Sequence, residues 1–409
     1  MNFKSLYEIF HKLKISCDIT KQFKIKKIMF GFGGSDNIIL GIGQNHDKLA
    51  IKIIPDVVYQ NVKIKPNRSQ LEIKFYKFFT NKYVLKNRSP HIVGIYNHQK
   101  CSNIDKLLNN IKKKPCPSYE DKLTKKIRFN LTNEKICDLL EKFKSNLISQ
   151  NFDAICLEYC PEQLSQYIEI NMYMVRDFSG NKLKNIIDQF IYNLNRFLFQ
   201  IIFTLAIIKD DYPGFLHGDF FTRNILLSPE FRYKDNEYAA YHYKQKIFYL
   251  QANGWYAKIN DFDSCIIINE LEPSDLKFNK DLNKFYHKNP FNEKTDIFNL
   301  LHDIYDGQNL GTLSINRLAA ELNIPYSKIK VLKEFLGNFL KVGVIDKIND
   351  ANYELLSGTW DIDGIKILEN TVLTPNQYLN HFEIFQELPP GSKIVQHFNA
   401  NNSMWNNSK

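Results

Sequence analysis

A lysine stands in the middle of an otherwise apolar run, Leu49-Ala50-Ile51-Lys52-Ile53-Ile54. The run has the length and β-branched content of a buried strand. An ammonium group is costly in that setting unless a carboxylate meets it. Between Lys52 and residue 100 the sequence offers one glutamate, Glu72. Glu72 lies in SQLEIKFYKFFTNKYV (69–84), whose apolar residues at 71, 75, 78, 79 and 83 recur at helical spacing. A strand is therefore expected to pack beside a helix so that Lys52 and Glu72 pair.

The chain around this pair changes character once. Residues 1–22 read as an amphipathic helix, and KIKKIMF, NIILGIG, HIVGIYNH and AICLEYC read as further strands up to residue 160. From about 182 to 210 the pattern is helical and strongly apolar; the chain is then mixed to about 270 and mainly helical to about 390. No internal repeat of solenoid length occurs. Strand-rich sequence followed by helix-rich sequence, over 409 residues, predicts an α+β protein of two unequal lobes. Residues 101–150 hold eleven Lys and Arg against six Asp and Glu, with Lys112-Lys113-Lys114 ahead of Pro115 and Pro117. They read as an insertion, a turn and one or two polar helices on a solvated surface, or else a docking site for an acidic partner. The end of the chain, FNANNSMWNNSK, reads as a polar, frayed tail.

Two further clusters carry chemistry. In Phe215-Leu216-His217-Gly218-Asp219-Phe220-Phe221-Thr222-Arg223-Asn224-Ile225-Leu226-Leu227, a carboxylate and an asparagine five residues later sit on a short loop before an apolar run. A carboxylate can accept a hydroxyl proton, and an asparagine oxygen can bind Mg²⁺. In Lys258-Ile259-Asn260-Asp261-Phe262-Asp263-Ser264, a carboxylate ends an apolar strand, a common place for a metal ligand. Either cluster alone would also suit a surface turn. Gly31, Gly33 and Gly34, between the first two strands, let backbone N–H groups approach phosphate oxygens.

Taken in order, glycine loop, A-I-K strand, helix glutamate, H-x-D-x-x-x-x-N and D-F-x resemble the protein kinase superfamily over about residues 30–300. SPHIVGIY (89–96), LEYCPEQL (157–164), NEKTDIF (292–298) and LTPNQYLNHF (373–382) resemble the strand after helix C, the hinge, the start of helix F and the last helices. The resemblance implies a bilobal fold, with an antiparallel-sheet N-lobe over 23–160 and a mainly helical C-lobe over 161–390. It implies ATP and Mg²⁺ as cofactors. Lys52 would hold the α- and β-phosphates and Glu72 would orient it; Asp219 would accept the hydroxyl proton; Asn224 and Asp261 would hold Mg²⁺. Ile38, Ala50 and Leu226 would enclose the adenine, and the backbone of Glu158 and Cys160 would meet its edge. Tyr76, His217 and Phe262 would stack as a hydrophobic spine, and Asp296 would be a buried anchor.

The sequence departs from that family at several points. Asp36 stands for the third loop glycine, Gly218 for the usual arginine, Phe221 for a lysine and Asp263 for the D-F-G glycine, and no A-P-E precedes Asp296. Arg223 could supply the charge missing at Phe221. With no arginine at 218, activity should not require activation-loop phosphorylation. The resemblance implies a kinase acting on Ser or Thr hydroxyls of proteins, with a pseudokinase scaffold and a small-molecule (aminoglycoside- or choline-kinase-like) phosphotransferase as alternatives. The lysine-rich, divergent character is similar to kinases of large DNA viruses, which implies host cytoplasm or a virion.

Composition sets outer limits. The net charge is +10, but 46 of the 54 cations are lysines, as expected of an AT-rich genome. A dedicated nucleic-acid reader favours arginine, so nucleic acid is not the expected partner. Seven cysteines, an odd number with no C-x-x-C, predict neither a disulfide framework nor a zinc ribbon. The N-terminus is not a signal peptide, and the longest apolar stretch, Phe197 to Ile208, is too short to span a bilayer, so no transmembrane segment is expected.

Overall fold

The computed structural model describes residues 3–12, 15–30, 37–44, 47–58, 68–116, 131–268, 270–271, 294–306, 314–340 and 372–400. It divides into two compact units. The first comprises Met1–Lys77 and Gly94–Tyr159, and the second Phe78–Val93 and Cys160–Lys409. Antiparallel sheet dominates the first unit and helix the second, so the expected α+β class holds.

The first unit is built on five strands in the order β1-β2-β3-β5-β4: β1 Ile25–Phe30, β2 Ile38–Gln44, β3 Asp47–Val57, β4 Ile95–Cys101 and β5 Ile148–Glu158. All neighbouring pairs are antiparallel. The N-terminal 22 residues are not one helix. They form α1 (Phe3–Phe10) and a single turn, α2 (Ile19–Gln22), and Ile15 and Ile19 are buried in the core of the unit. The expected helix over 69–84 is present as α3 (Arg68–Phe79), continued by a π-helical turn, Thr80–Val84.

The insertion differs from its expected form. Helices α4 (Ile104–Ile111) and α5 (Leu131–Lys144) are not solvated excursions. Ile104, Leu107, Leu108 and Ile111 form one helical stripe and join Ile136, Leu139 and Leu140 in the same cluster as Leu40, Ile51 and Ile53 of the sheet. The lysine run is pinned to α5: Asn133 Oδ1 accepts from the N–H groups of Lys113 and Lys114, both at 3.1 Å.

The cysteine expectation is also corrected. Cys17 pairs with Cys101 and Cys116 with Cys137, across sequence separations of 84 and 21. The pairing was invisible in the spacing because each bridge joins the N-terminal extension or the insertion to a partner made near only by folding. Cys156, Cys160 and Cys265 are buried and outside these bridges.

The second unit is organised around α7 (Gly180–Asp211), whose residues from Phe197 to Ile208 are all buried. By length and composition this 32-residue helix could cross a membrane, yet 78% of its most apolar window is covered by the fold, as in a core helix. Helix α6 (Leu164–Asp177) packs beside it. Strand β8 (Ile225–Glu230) pairs with β6 (Glu162–Gln163) and with β11 (Gly254–Ile259). The segment between β8 and β11 folds as the hairpin β9 (Glu237–Tyr243) and β10 (Lys246–Gln251), and the short strands β7 (Phe215–Leu216) and β12 (Ile266–Ile267) pair with each other.

The tail is not wholly frayed. Residues Lys393–Asn399 form β13, which runs parallel to β9. Its Phe398 ring lies 5.0 Å from the Tyr241 ring, and the Ala400 carbonyl accepts from the Arg88 guanidinium at 2.7 and 3.0 Å. Residues 401–409 lie outside the described residues.

Both disulfides close long loops, so each should raise stability mainly by restricting the unfolded chain. Cys101→Ala and Cys137→Ala are each expected to cost about 2–4 kcal/mol in denaturant unfolding. Mass spectrometry after alkylation without reductant should leave four cysteines protected; modification of all seven would refute the bridges.

Candidate active site

Strand β3 and helix α3 deliver the pair that the sequence demands. Lys52 Nζ lies 2.6 Å from Glu72 Oε1, with the residues 4% and 1% exposed. Each charge removes the desolvation problem of the other. Lys52 is held in place from both sides, with Ile39 opposite it on β2 and Ile155 on β5. Ile38 and Ala50 are buried on the same strands. The Glu158 N–H donates to the Gly94 carbonyl at 2.9 Å. Gly31, Gly33, Gly34 and Asp36 lie outside the described residues.

In the second unit, the loop bearing Asp219 runs from β7 (Phe215–Leu216) to a three-residue 3₁₀ turn, Thr222–Asn224. Helix α8 (Thr295–Tyr305) holds its first part. The buried carboxylate of Asp296 accepts from His217 N at 3.0 and 3.2 Å and from Gly218 N at 3.3 Å, as the sequence anticipated. Gly218 has φ +79°, and a Cβ there would stand 2.7 Å from the Ser264 carbonyl oxygen. The backbone thus excludes the usual arginine, whatever its charge would do.

Asp219 is fixed through both carboxylate oxygens. Oδ2 accepts from Asn224 Nδ2 at 2.7 Å, and Oδ1 pairs with the Arg223 guanidinium. Asn224 Nδ2 also donates to the Asp219 carbonyl at 2.8 Å. With the amide nitrogen committed, Oδ1 is the Asn224 atom suited to a cation. Arg223 lies over the Phe221 ring, 4.6 Å from its centroid, so the phenyl group shelves the guanidinium that pairs with Asp219. Leu226 follows on β8 and is half-buried.

Asp261 has φ +65°, in the left-handed region that a non-glycine residue occupies at a cost of about 1–3 kcal/mol. Its neighbours lock it there. Asn260 N donates to the Asn224 carbonyl at 3.0 Å, and the Asn260 carbonyl meets His217 Nε2 at 3.0 Å. Phe262 is buried, with its ring 5.6 Å from His217 and 5.0 Å from Phe79. Tyr76 is buried in the first unit; Phe79, which the sequence reading did not name, also meets Phe262 within the second unit. Asp263 Oδ1 accepts from Ser264 Oγ at 2.9 Å, which gives this replacement of glycine a local structural role.

Sequence reasoning also missed Thr222 and Asp303. Asp303 Oδ2 accepts from Thr222 N at 2.7 Å and from Thr222 Oγ1 at 2.6 Å, with both residues buried. The signal available was a second aspartate seven residues after Asp296, on the same helical face.

No protein-family model matches the chain. It is, however, 47% identical over 404 residues to a protein of Acanthamoeba polyphaga mimivirus named as a putative serine/threonine-protein kinase, a match covering 98% of this chain and 99% of that protein. On that relationship, and with the Lys–Glu pair and the Asp-to-Asn loop in family order, the chain belongs to the protein kinase superfamily, in the type encoded by large DNA viruses.

Proposed function

We propose that the protein transfers the γ-phosphoryl group of ATP, with Mg²⁺, to Ser or Thr hydroxyls of proteins, using Asp219 as the general base. The observation that carries this reading is the double hold on Asp219 by Arg223 and Asn224. Such a hold keeps a carboxylate aimed in one direction. Lys52, oriented by Glu72, binds the phosphates; Asn224 and Asp261 hold the cation. Mg²⁺ usually takes only one or two protein ligands and completes its shell with phosphate oxygens and water, so two side-chain oxygens fit it. Held by these residues, ATP would supply the phosphoryl group and Mg²⁺ would help to neutralise its charge.

The His-Gly-Asp form alone would have suited a small-molecule kinase. The contact with the Ser264 carbonyl accounts for Gly218 without a change of substrate. A pseudokinase reading must explain why Asp261 is kept in a costly conformation and Asp219 in a fully bonded one.

The first unit carries 26 Lys and Arg against 14 Asp and Glu, while the second has 28 against 30. A lysine-rich genome would have raised both alike, so this imbalance supports an acidic protein partner for the first unit rather than coding bias alone. The two disulfides favour a particle or an oxidising compartment over reducing host cytoplasm.

Incorporation of label from γ-labelled ATP into casein, with and without EDTA, tests the reaction. Asp219→Asn should lower it about 10²-fold or more, and Asp261→Asn should raise the Mg²⁺ concentration required. Equal incorporation by wild type and Asp219→Asn would overturn the assignment. Phosphatase-treated enzyme should keep its activity. Gly218→Arg should lose stability by at least about 1–3 kcal/mol and gain no phosphorylation dependence, as thermal melting and the same assay would show.

A further inference from the structure

Helix α8 presents two buried carboxylates to one loop. Asp296 and Asp303 are seven residues apart, so they lie on one face of the helix about 10 Å apart along its axis. Asp296 holds His217 and Gly218; Asp303 holds Thr222. Asp219 therefore lies between two fixed points.

We infer that Asp303 is a positioning residue for phosphoryl transfer: it fixes the second half of the Asp219 loop through Thr222. This rests on the kinase reading for its chemistry. The 3₁₀ turn at Thr222–Asn224 is too short to hold itself, and its N-cap residue, Phe221, makes no side-chain cap hydrogen bond. The turn's first N–H is taken by Asp303 instead, at 2.7 Å, and the Thr222 hydroxyl doubles the attachment at 2.6 Å. Arg223 and Asn224 come next in the chain, and they are the residues that hold the two oxygens of Asp219. Displacement of Thr222 would carry both away from the carboxylate. Thr222 is 0% and Asp303 2% exposed, so no water could replace the lost bonds without opening the core. Both act through Arg223 and Asn224.

The alternative is that Asp303 serves stability alone. Three variants separate the two roles: Asp303→Asn, Thr222→Val and Thr222→Ser, assayed with γ-labelled ATP and casein. Hydrogen bonds to a buried charge set the scale: Asp303→Asn and Thr222→Val should lower kcat about 10- to 100-fold, with KM for ATP within about twofold. Thr222→Ser keeps the hydroxyl and should stay within about threefold of wild type. Amide hydrogen exchange should rise at residues 217–224 in the first two variants and not in the third. Wild-type kcat in Asp303→Asn, or equal losses in Thr222→Ser and Thr222→Val, would overturn the inference. So would a loss of kcat accompanied by exchange rising across the whole unit. If Asp303→Asn does not fold, Thr222→Val, which retains the carboxylate, decides alone. If wild type transfers no phosphoryl group, the kinase reading fails. The positioning role is then judged by exchange: selective loss of protection at 217–224 sustains it, and no change refutes it.

Discussion

The hydrogen bonds from the loop backbone to Asp296 and Asp303 are the constraint on which the second unit's chemistry depends. The segment from His217 to Phe221 has neither helix nor sheet to fix it, yet the Asp219 carboxylate it carries is held through both oxygens. Buried carboxylates that accept backbone N–H groups do this because they cannot be left unbonded: a buried charge without donors is far costlier than a neutral orphan. The same demand that makes Asp296 expensive makes its geometry definite. Apolar residues in its place would fill the space and leave His217 N and Gly218 N without acceptors.

How much of this was legible depends on whether the cause was local. Lys52 in an apolar strand required a partner, and one glutamate was in reach; electrostatics and counting sufficed. The spacing of Asp219 and Asn224 was legible for a similar reason, since five residues make a loop that turns back on itself. Long-range causes were not legible. The disulfides join cysteines 84 and 21 residues apart. Strand β13 finds a parallel partner more than a hundred and fifty residues earlier, and its Phe398 looked like one apolar residue in a polar tail. The insertion was misread for another reason. Its charge count outweighed its periodicity, although the spacing of Ile104, Leu107, Leu108 and Ile111 marks a buried helical face.

Departures from the family pattern acquire causes once the backbone is visible. Gly218 reads in the sequence as a lost arginine and a lost regulatory contact. In the structure it is a residue with positive φ facing a carbonyl oxygen, and no side chain fits. Asp263 reads as a lost glycine and carries a hydrogen bond from Ser264. Phe221 reads as a lost lysine and supports Arg223. In each case the substituted residue has a neighbour that requires or uses it, which is the mark of a loop rebuilt around the same carboxylate.

This separates likeness of letters from likeness of geometry. The chain matches no family model, yet it holds a paired lysine, a bonded aspartate, an asparagine whose amide nitrogen is committed, and an aspartate in the left-handed region, the groups on which the proposed phosphoryl transfer draws. Apart from the lysine pair, which belongs to the first unit, those features are set by a few hydrogen bonds and two unusual φ angles, all within about forty residues of Asp219 in the second unit. The second unit has a dense core in α7, where twelve successive residues from Phe197 to Ile208 are buried. A core of that density tolerates divergence almost everywhere on its surface while keeping one loop rigid. For the proposed reaction the demand falls on where Asp219 points, and different neighbours can meet that demand.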